Sequence, residues 1–453
     1  MNALMIAAPS SGAGKTTVTL GLLRALARDG VGLCPAKAGP DYIDPAFHAA
    51  ASGVACHNLD PWAMRRDLLL AHAMPARHGH VTGQKLLVVE AMMGLFDATI
   101  DGTGSAADLA SVLKLPVILV VDGSGMSHSA GALVDGFCNH RSDVSLAGVI
   151  FNQVVSERHE AMLRQGVEKT GVPVVGAIRR DHELALPSRH LGLVQAAEHD
   201  ELQRFIDKAA DRVEAGVDLV HLMALATRFP VPGTKTDVRH LAPLGQHIAV
   251  ARDPGFAFCY EHILSGWRQE GAQTSFFSPL ADEAPSPDAD AVYLPGGYPE
   301  LHAGQIAQAE NFSAGMQLAR RRGASIYGEC GGYMVLGEAL IDAGGSVYPM
   351  LGFLPVTTSF AAPQRHLGYR RLEALSDFPW PGSLMAHEFH YASVVREEPD
   401  GRLFTGCDAA GHCLGAFGHR RGQVAGSFMH VIDMAEDNTV FSRASGFTVG
   451  ETC

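Results

Sequence analysis

The sequence predicts an α/β protein of two domains, and three observations carry that expectation. Short, continuously apolar, β-branched runs recur through the first half, separated by stretches with helical spacing. A parallel sheet covered by helices on both faces produces that alternation. The first run leads straight into a glycine-rich turn, "APSSGAGKTT" at 8–17, and then into a helical stretch. A break rich in Pro, Gly and Thr at about 228–245 is followed by a second series of the same kind.

In chain order, "ALMIAAP", "KLLVVEAMMG", "LPVILVVD", "LAGVIFNQ" and "VPVVGAI" read as buried strands of the first domain. "TTVTLGLLRALARDG" reads as the helix after the glycine-rich turn, and "ADRVEAGVDLVHLM", around 210–222, as one more helix. Beyond the linker come "QHIAVARD", "TSFFSPL", "DAVYLPGG" and "ASIYGECGG", the strands of the second domain. The expected domains are 1–230 and 246–435, with a frayed tail after "VIDMAEDN". There is no internal repeat and no low-complexity segment.

Composition narrows the function classes. A chain of 453 residues, 47% hydrophobic and 18% charged, can bury two or three cores. No apolar run approaches the ~18 residues that span a bilayer, and the N-terminus lacks a basic n-region, which argues against a signal peptide. A formal charge of −13 argues against general nucleic-acid or anionic-membrane binding. The eight cysteines are scattered, with no CxxC pair and no zinc spacing, a pattern that fits a reducing cytoplasm. Most of the 22 histidines are spread along the chain and read as surface or satisfied core residues.

The chemistry begins at the glycine-rich turn. The strict P-loop has a glycine where this chain has Pro9, but Gly12, Gly14, Lys15, Thr16 and Thr17 form a tight turn opening on a helix N-terminus. Free N–H groups and the helix dipole favour phosphate there. Lys15 would reach the β/γ-phosphates and Thr16 would bind Mg²⁺. An ordinary strand-to-helix turn is the plain alternative, and the position at the first strand favours nucleotide binding. "LLVVEAMMGLFD" ends a strand with Glu90, a Mg²⁺ ligand candidate facing the same crevice, and carries Asp97 on the next loop. "KAGPDYIDPAFH" at 37–48 crowds Lys37, Asp41 and Asp44 around turn-forming residues. Beside a P-loop it reads as a substrate and metal loop.

The second domain holds a different chemistry. "LPGGYPE" places Gly296 and Gly297 just after a strand, where bare N–H groups can face an oxyanion. "YGECGG" puts Cys330 on a strand-to-helix corner, where a nucleophile protrudes and the helix N-terminus is expected to lower its pKa. "VAGSFMHVID" offers His430 as the base for the thiol. Cys330 alone could be a buried cysteine in a tight turn. With the Gly-Gly turn before it and the histidine after it, acyl transfer from an amide through a thioester is the better reading.

"GECGG", "LPGGYPE" and "GSFMH" resemble the class I glutamine amidotransferase domain, while "SSGAGKTT", "KAGPDYIDPAFH" and "VVEAMMGLFD" resemble the dethiobiotin-synthetase-like ATPase domain. Fused in this order they resemble the cobyrinic/hydrogenobyrinic acid a,c-diamide synthase family, a likeness covering about 3–435 and including "LPSRHLGL" and "AHEFHYA". The resemblance implies an N-terminal P-loop parallel-sheet ATPase domain and a C-terminal α/β amidotransferase domain. It implies a ligase that uses ATP with Mg²⁺, glutamine and a tetrapyrrole polycarboxylate, and often a homodimer. Lys15 and Thr16 would hold nucleotide and Mg²⁺, and Glu90 metal. Asp41, Asp44 and Asp97 would arrange acyl-phosphate chemistry, while Lys37, Tyr42 and Ile43 would meet the substrate.

The chain departs from the pattern in places. The wider class has a glutamate two residues after its histidine, where this chain has Ile432. Cys330 and His430 would then act as a dyad, with Ser427 or a backbone carbonyl as candidates to orient the imidazole. In "AHEFHYA", Ala386 and Ala392 replace the expected Gly and Ser, which leaves His387, Glu388 and His390 either functional or part of a polar strand. Arg189, Arg365, Arg370 and Arg371 are candidates for a polycarboxylate pocket on charge alone. Two other readings stand beside this one: a nickel-sirohydrochlorin a,c-diamide synthase, and a P-loop switch protein of the ParA/MinD kind that binds partners.

Overall fold

The computed structural model describes residues 1–74, 85–184, 188–189, 192–193, 201–229 and 238–436. The chain forms two compact units: Met1–Trp62 with Arg66–Val238, and Ala63–Arg65 with the residues from Arg239 onward. The tail, residues 230–237 of the expected linker, and all of "LPSRHLGL" except two short strands, Ser188–Arg189 and Gly192–Leu193, lie outside the described residues. Among the described residues no helix is long and apolar enough to cross a membrane.

The first unit is built on a parallel sheet ordered His57–Leu59, Gly32–Ala38, Lys85–Glu90, Asn2–Ala7, Val117–Asp122, Leu146–Val154, Val174–Arg179, with Thr227–Arg228 added antiparallel to Asn2–Ala7. Its central strands are continuously apolar because helices cover both faces. Register fixes the geometry of the crevice: Ile6 pairs with Glu90, and Glu90 pairs with Lys37 on the next strand. The exit of the first strand, a carboxylate and an ammonium thus stand side by side at the carboxyl ends.

The five strands expected in this half are all present. Gly32–Ala38 and His57–Leu59 are additional. Pro35 and Lys37 interrupt the apolar pattern of the first, and the second is only three residues long. The single helix expected around 210–222 is instead two, Leu202–Gly216 and Leu219–Leu225. The break follows from Gly216 ending one helix and Asp218 capping the next, its carboxylate accepting the His221 N–H at 2.9 Å.

The second unit has a ten-stranded sheet. Gln273–Phe277, His247–Ala251, Ala291–Leu294, Ser325–Glu329 and Val424–Ser427 run parallel in that spatial order. Cys413–Arg421, Arg402–Asp408, His366–Ala374, Ser383–His390 and Met429–Met434 continue it as antiparallel strands. The α/β alternation read from the sequence covers the parallel part. The antiparallel part alternates apolar and polar residues and carries little of that signal.

Candidate active sites

In the first unit, Gly14 precedes the helix Lys15–Arg28 in the left-handed region at φ 81°, with no side chain capping the helix. The first-turn N–H groups are therefore left for a ligand, the arrangement that suits phosphate. Gly14 also needs to be glycine for space, since a Cβ there would stand 2.2 Å from Asn152 Nδ2. Asn152, on the strand Leu146–Val154 two places along the sheet, donates to the Ala13 carbonyl at 3.0 Å and so braces the loop. Gly12, Gly14, Thr17, Asn152 and Arg179 border a cavity of 200 Å³.

Glu90 is the electrostatic centre of this site and is fully buried. Its Oε1 receives Lys15 Nζ at 2.7 Å, Thr16 Oγ1 at 2.8 Å and Lys37 Nζ at 3.0 Å, and its Oε2 receives His48 Nε2 at 2.5 Å. Burial works to raise the Glu90 pKa, but Lys15, Lys37 and His48 outweigh it and hold the carboxyl well below its ordinary range. Burial also opposes the charge on Lys37, yet Asp44 at 2.5 Å and Glu90 keep that ammonium above its ordinary pKa. On Lys15 burial wins and the pKa is lowered.

The loop 41–44 closes on itself: Asp41 Oδ1 accepts the Ile43 and Asp44 N–H groups at 2.8 and 3.0 Å. Asn58 clamps it by donating to the Gly39 and Asp41 carbonyls. Burial, then the Asp44 charge, raises Asp41. Ile43 is buried and Tyr42 half-buried. Asp97 accepts the Gly94 N–H at 2.7 Å, on a loop tied to the P-loop strand by the bond from Leu95 N to the Ala8 carbonyl. The structure thus gathers Lys15, Thr16, Lys37, Asp44 and Glu90 through direct contacts. His48, Asn58 and Asn152 join them without having been singled out from the sequence. His48 lay inside the quoted loop, three residues beyond Pro45, but a lone histidine carries no signal of its partner.

A hydroxyl and a carboxylate already in contact, Thr16 and Glu90, form a hard-oxygen pair of the kind Mg²⁺ takes. The fit requires Lys15 to leave Glu90 for the phosphates.

In the second unit, Cys330 sits at φ 46°, ψ −105°, between the strand Ser325–Glu329 and the helix Gly331–Leu336. A non-glycine residue there costs about 1–3 kcal/mol and marks a corner held by its surroundings. The Cys330 N–H donates to the Ser427 carbonyl at 2.8 Å, and the thiol donates to the Phe389 carbonyl at 3.6 Å. The expectation of a lowered thiol pKa is corrected: burial and then the nearby Glu300 carboxyl push the Cys330 thiol well up, and the Gly331 and Gly297 N–H groups offset this only in part. A six-residue helix is too short to overcome full burial. To act as a nucleophile the thiol would need a base.

His430 is fully buried, opposite His387 across paired strands. A Cβ on Gly296 would lie 2.3 Å from His430 Cε1, 3.1 Å from its Nε2 and 3.2 Å from Cys330 Cβ, so one bare glycine separates imidazole from nucleophile. Gly296 makes room for the pair. The N–H groups turned to the sulfur are those of Gly297 and Gly331, the second missed from sequence. The Ser427 hydroxyl accepts the Met429 N–H at 3.2 Å. Glu300, in "LPGGYPE", is held at about 7 by burial, and its Oε2 has no hydrogen-bond partner among the described residues.

His366, Glu388 and His390 bring ligand atoms within 4.8 Å of one another. Arg370 donates to Glu388 Oε2 at 2.8 Å and His390 meets Oε1 at 3.0 Å, so the carboxylate is already charge-compensated. The His390 ring stacks on Phe428, two residues before His430. His387, Glu388 and His390 thus pack beside the Cys330–His430 pair as a buried strand of the sheet.

Comparison with known proteins covers both units. Residues 4–194 match the CobQ/CobB/MinD/ParA nucleotide binding domain, and residues 247–438 match the CobB/CobQ-like glutamine amidotransferase domain. The chain is 60% identical over 436 residues to a hydrogenobyrinate a,c-diamide synthase of a Sinorhizobium species, covering 96% of this chain and 99% of that one. A hydrogenobyrinate a,c-diamide synthase of Brucella abortus is 59% identical, covering 96% and 99%, and that of Rhodobacter capsulatus 49% identical, covering 95% and 98%.

Proposed function

Because the chain belongs to the hydrogenobyrinate a,c-diamide synthase family, we propose that it converts the a and c acetate carboxylates of hydrogenobyrinate into amides, with ATP and ammonia released from glutamine. The observation that carries this reading is the near full-length identity to relatives of that name. It is supported by two chemistries on one chain, a phosphate-binding turn with clustered carboxylates and a thiol corner with a buried histidine. The relatives' names favour this substrate over the nickel tetrapyrrole, and the amidotransferase match leaves a partner-binding switch without an explanation for the second unit.

In the second unit, Cys330 Sγ attacks the glutamine side-chain carbonyl while His430 takes the thiol proton. The Gly297 and Gly331 N–H groups hold the oxyanion, with Gly296 leaving space for the pair. The C–N bond breaks, ammonia departs with the proton from His430, and water cleaves the thioester to glutamate. In the first unit, Gly12, Gly14, Lys15, Thr16 and Thr17 bind the ATP phosphates, and Thr16 and Glu90 would hold Mg²⁺, which would neutralise phosphate charge. The substrate carboxylate accepts the γ-phosphoryl group to become an acyl phosphate, and ammonia displaces phosphate. Lys37, Asp41, Asp44 and Asp97 align carboxylate and nucleotide, and Tyr42 and Ile43 meet the ring. The free cysteines suit a reducing cytoplasm, and a homodimer is the assembly to expect.

Mass spectrometry of reactions with hydrogenobyrinate, cobyrinate and nickel-sirohydrochlorin in parallel tests the reading. Two mass increments of amidation on hydrogenobyrinate are expected, dependent on ATP and glutamine. Turnover of the nickel substrate alone would overturn it.

A further inference from the structure

The Glu329 carboxyl, the residue immediately before the nucleophile, stands within reach of the catalytic imidazole. On its own strand His430 is followed two residues later by Ile432, apolar and buried, so no carboxylate comes from that side. Glu329 Oε2 lies 3.9 Å from His430 Nδ1. Its other oxygen accepts the N–H of Val431, the peptide next to the histidine, at 3.1 Å, while Oε2 also accepts the Tyr293 hydroxyl at 2.7 Å. One side chain thereby ties the nucleophile strand to the histidine strand.

Glu329 is 1% exposed, and among the described residues no lysine or arginine pairs with it. A buried carboxyl held only by neutral donors is costly to ionise, and burial raises Glu329 to about 7. Such a group gains most when a positive charge forms beside it. His430, held well below its ordinary pKa by burial and by His387 and His390, acquires that charge only when it takes the thiol proton.

We propose that Glu329 is the positioning residue of His430: it sets the orientation of the ring through the Val431 peptide and stabilises the imidazolium through Nδ1. The proposal rests on the glutamine-hydrolysing reading above. The third member of the group then comes from the strand of the nucleophile, where the wider class takes it from the strand of the histidine.

The test is glutamine hydrolysis by the full chain with Glu329→Gln, which keeps the shape and hydrogen-bonding capacity of the side chain and removes its charge. The expected result is a kcat for glutamate release lowered about a hundredfold, with the glutamine KM within threefold. The acid limb of kcat near pH 7 should be lost. The groups facing His430 and Glu329 in that profile are Cys330, His387, Glu388, His390, Tyr293 and Tyr327. Glu329→Asp, which keeps the charge but withdraws it by one methylene, should recover about tenfold of the loss. Ammonia-driven amidation reports separately that the chain is folded. If Glu329→Gln does not fold, Glu329→Asp decides: a kcat lowered about tenfold supports the proposal, and an unchanged kcat overturns it. A folded Glu329→Gln variant with wild-type kcat and pH profile also overturns it. Wild-type chain that releases no glutamate would instead refute the glutamine reading itself.

Discussion

Gly296→Ala is a one-carbon change whose effect can be worked from geometry. The new Cβ would stand 2.3 Å from His430 Cε1, while carbon atoms rest at about 3.5–4.0 Å. The imidazole or the loop must give way by more than about 1 Å. The ring is fully buried, paired with the His387 position on one side and near Phe258, with centroids 6.5 Å apart, on another. It has little room to retreat without changing its angle to the thiol. A displacement of that size costs about 100-fold in rate, or about 2.7 kcal/mol. The assay is the initial rate of glutamate release, run beside ammonia-driven amidation and thermal unfolding. We expect kcat to fall about a hundredfold while ammonia-driven amidation stays close to wild type, with stability lowered by about 1–3 kcal/mol through overpacking. A Gly296→Ala enzyme hydrolysing glutamine within threefold of wild type would show that Gly296 does not set the gap between Cys330 and His430.

Other outcomes follow from the same geometry. Cys330→Ala should abolish glutamine-driven amidation and keep amidation from free ammonia; full glutamine-dependent activity in that variant would remove the thiol from the mechanism. Glu90→Gln leaves Lys15, Lys37 and His48 facing a neutral amide, so we expect about 3 kcal/mol lower stability in denaturant titration and loss of ATP-dependent amidation, with glutamate release retained. Gly14→Ala, with φ 81° and Asn152 in the way, should weaken ATP binding at least tenfold by calorimetry; unchanged affinity would place the phosphates elsewhere. Burial, with Arg370 adding to it, lowers His387 to about 3. Because the unfolded chain binds that proton more tightly, its stability contribution is present above the ordinary histidine pKa and is lost as pH falls from about 6.5 to about 3. The slope is up to about 1.4 kcal/mol per pH unit. Denaturant titrations at pH 7, 5 and 4 should show the loss, and His387→Gln should flatten it.

Much of this was legible because it is local. A strand that is apolar throughout, a glycine-rich turn and a following helix declare themselves within twenty residues, and so the parallel sheet and the phosphate-binding turn could be read directly. The strand Gly32–Ala38 was not, because Pro35 and Lys37 break its pattern. Its pairing with Lys85–Glu90 and with His57–Leu59 shows that Lys37 lies in a strand, one residue from its end. The break at Val217–Asp218 was also missed, since an apolar period continues through a cap that is visible only once Asp218 accepts the His221 N–H.

The sequence by itself determined the α/β class and pointed to two chemistries and to candidate residues for them, because short-range backbone geometry and side-chain chemistry are written in adjacent residues. Tertiary structure alone decided which partners those residues meet. Glu90 gathers Lys15, Lys37 and His48 across three segments, and Gly296 opens the gap between thiol and imidazole. Glu329 approaches His430 from a strand a hundred residues earlier. It also decided the thiol's resting state. The glycines around Cys330 suggest an activated nucleophile, but burial depends on what packs over the corner, and it pushes the pKa of that thiol up.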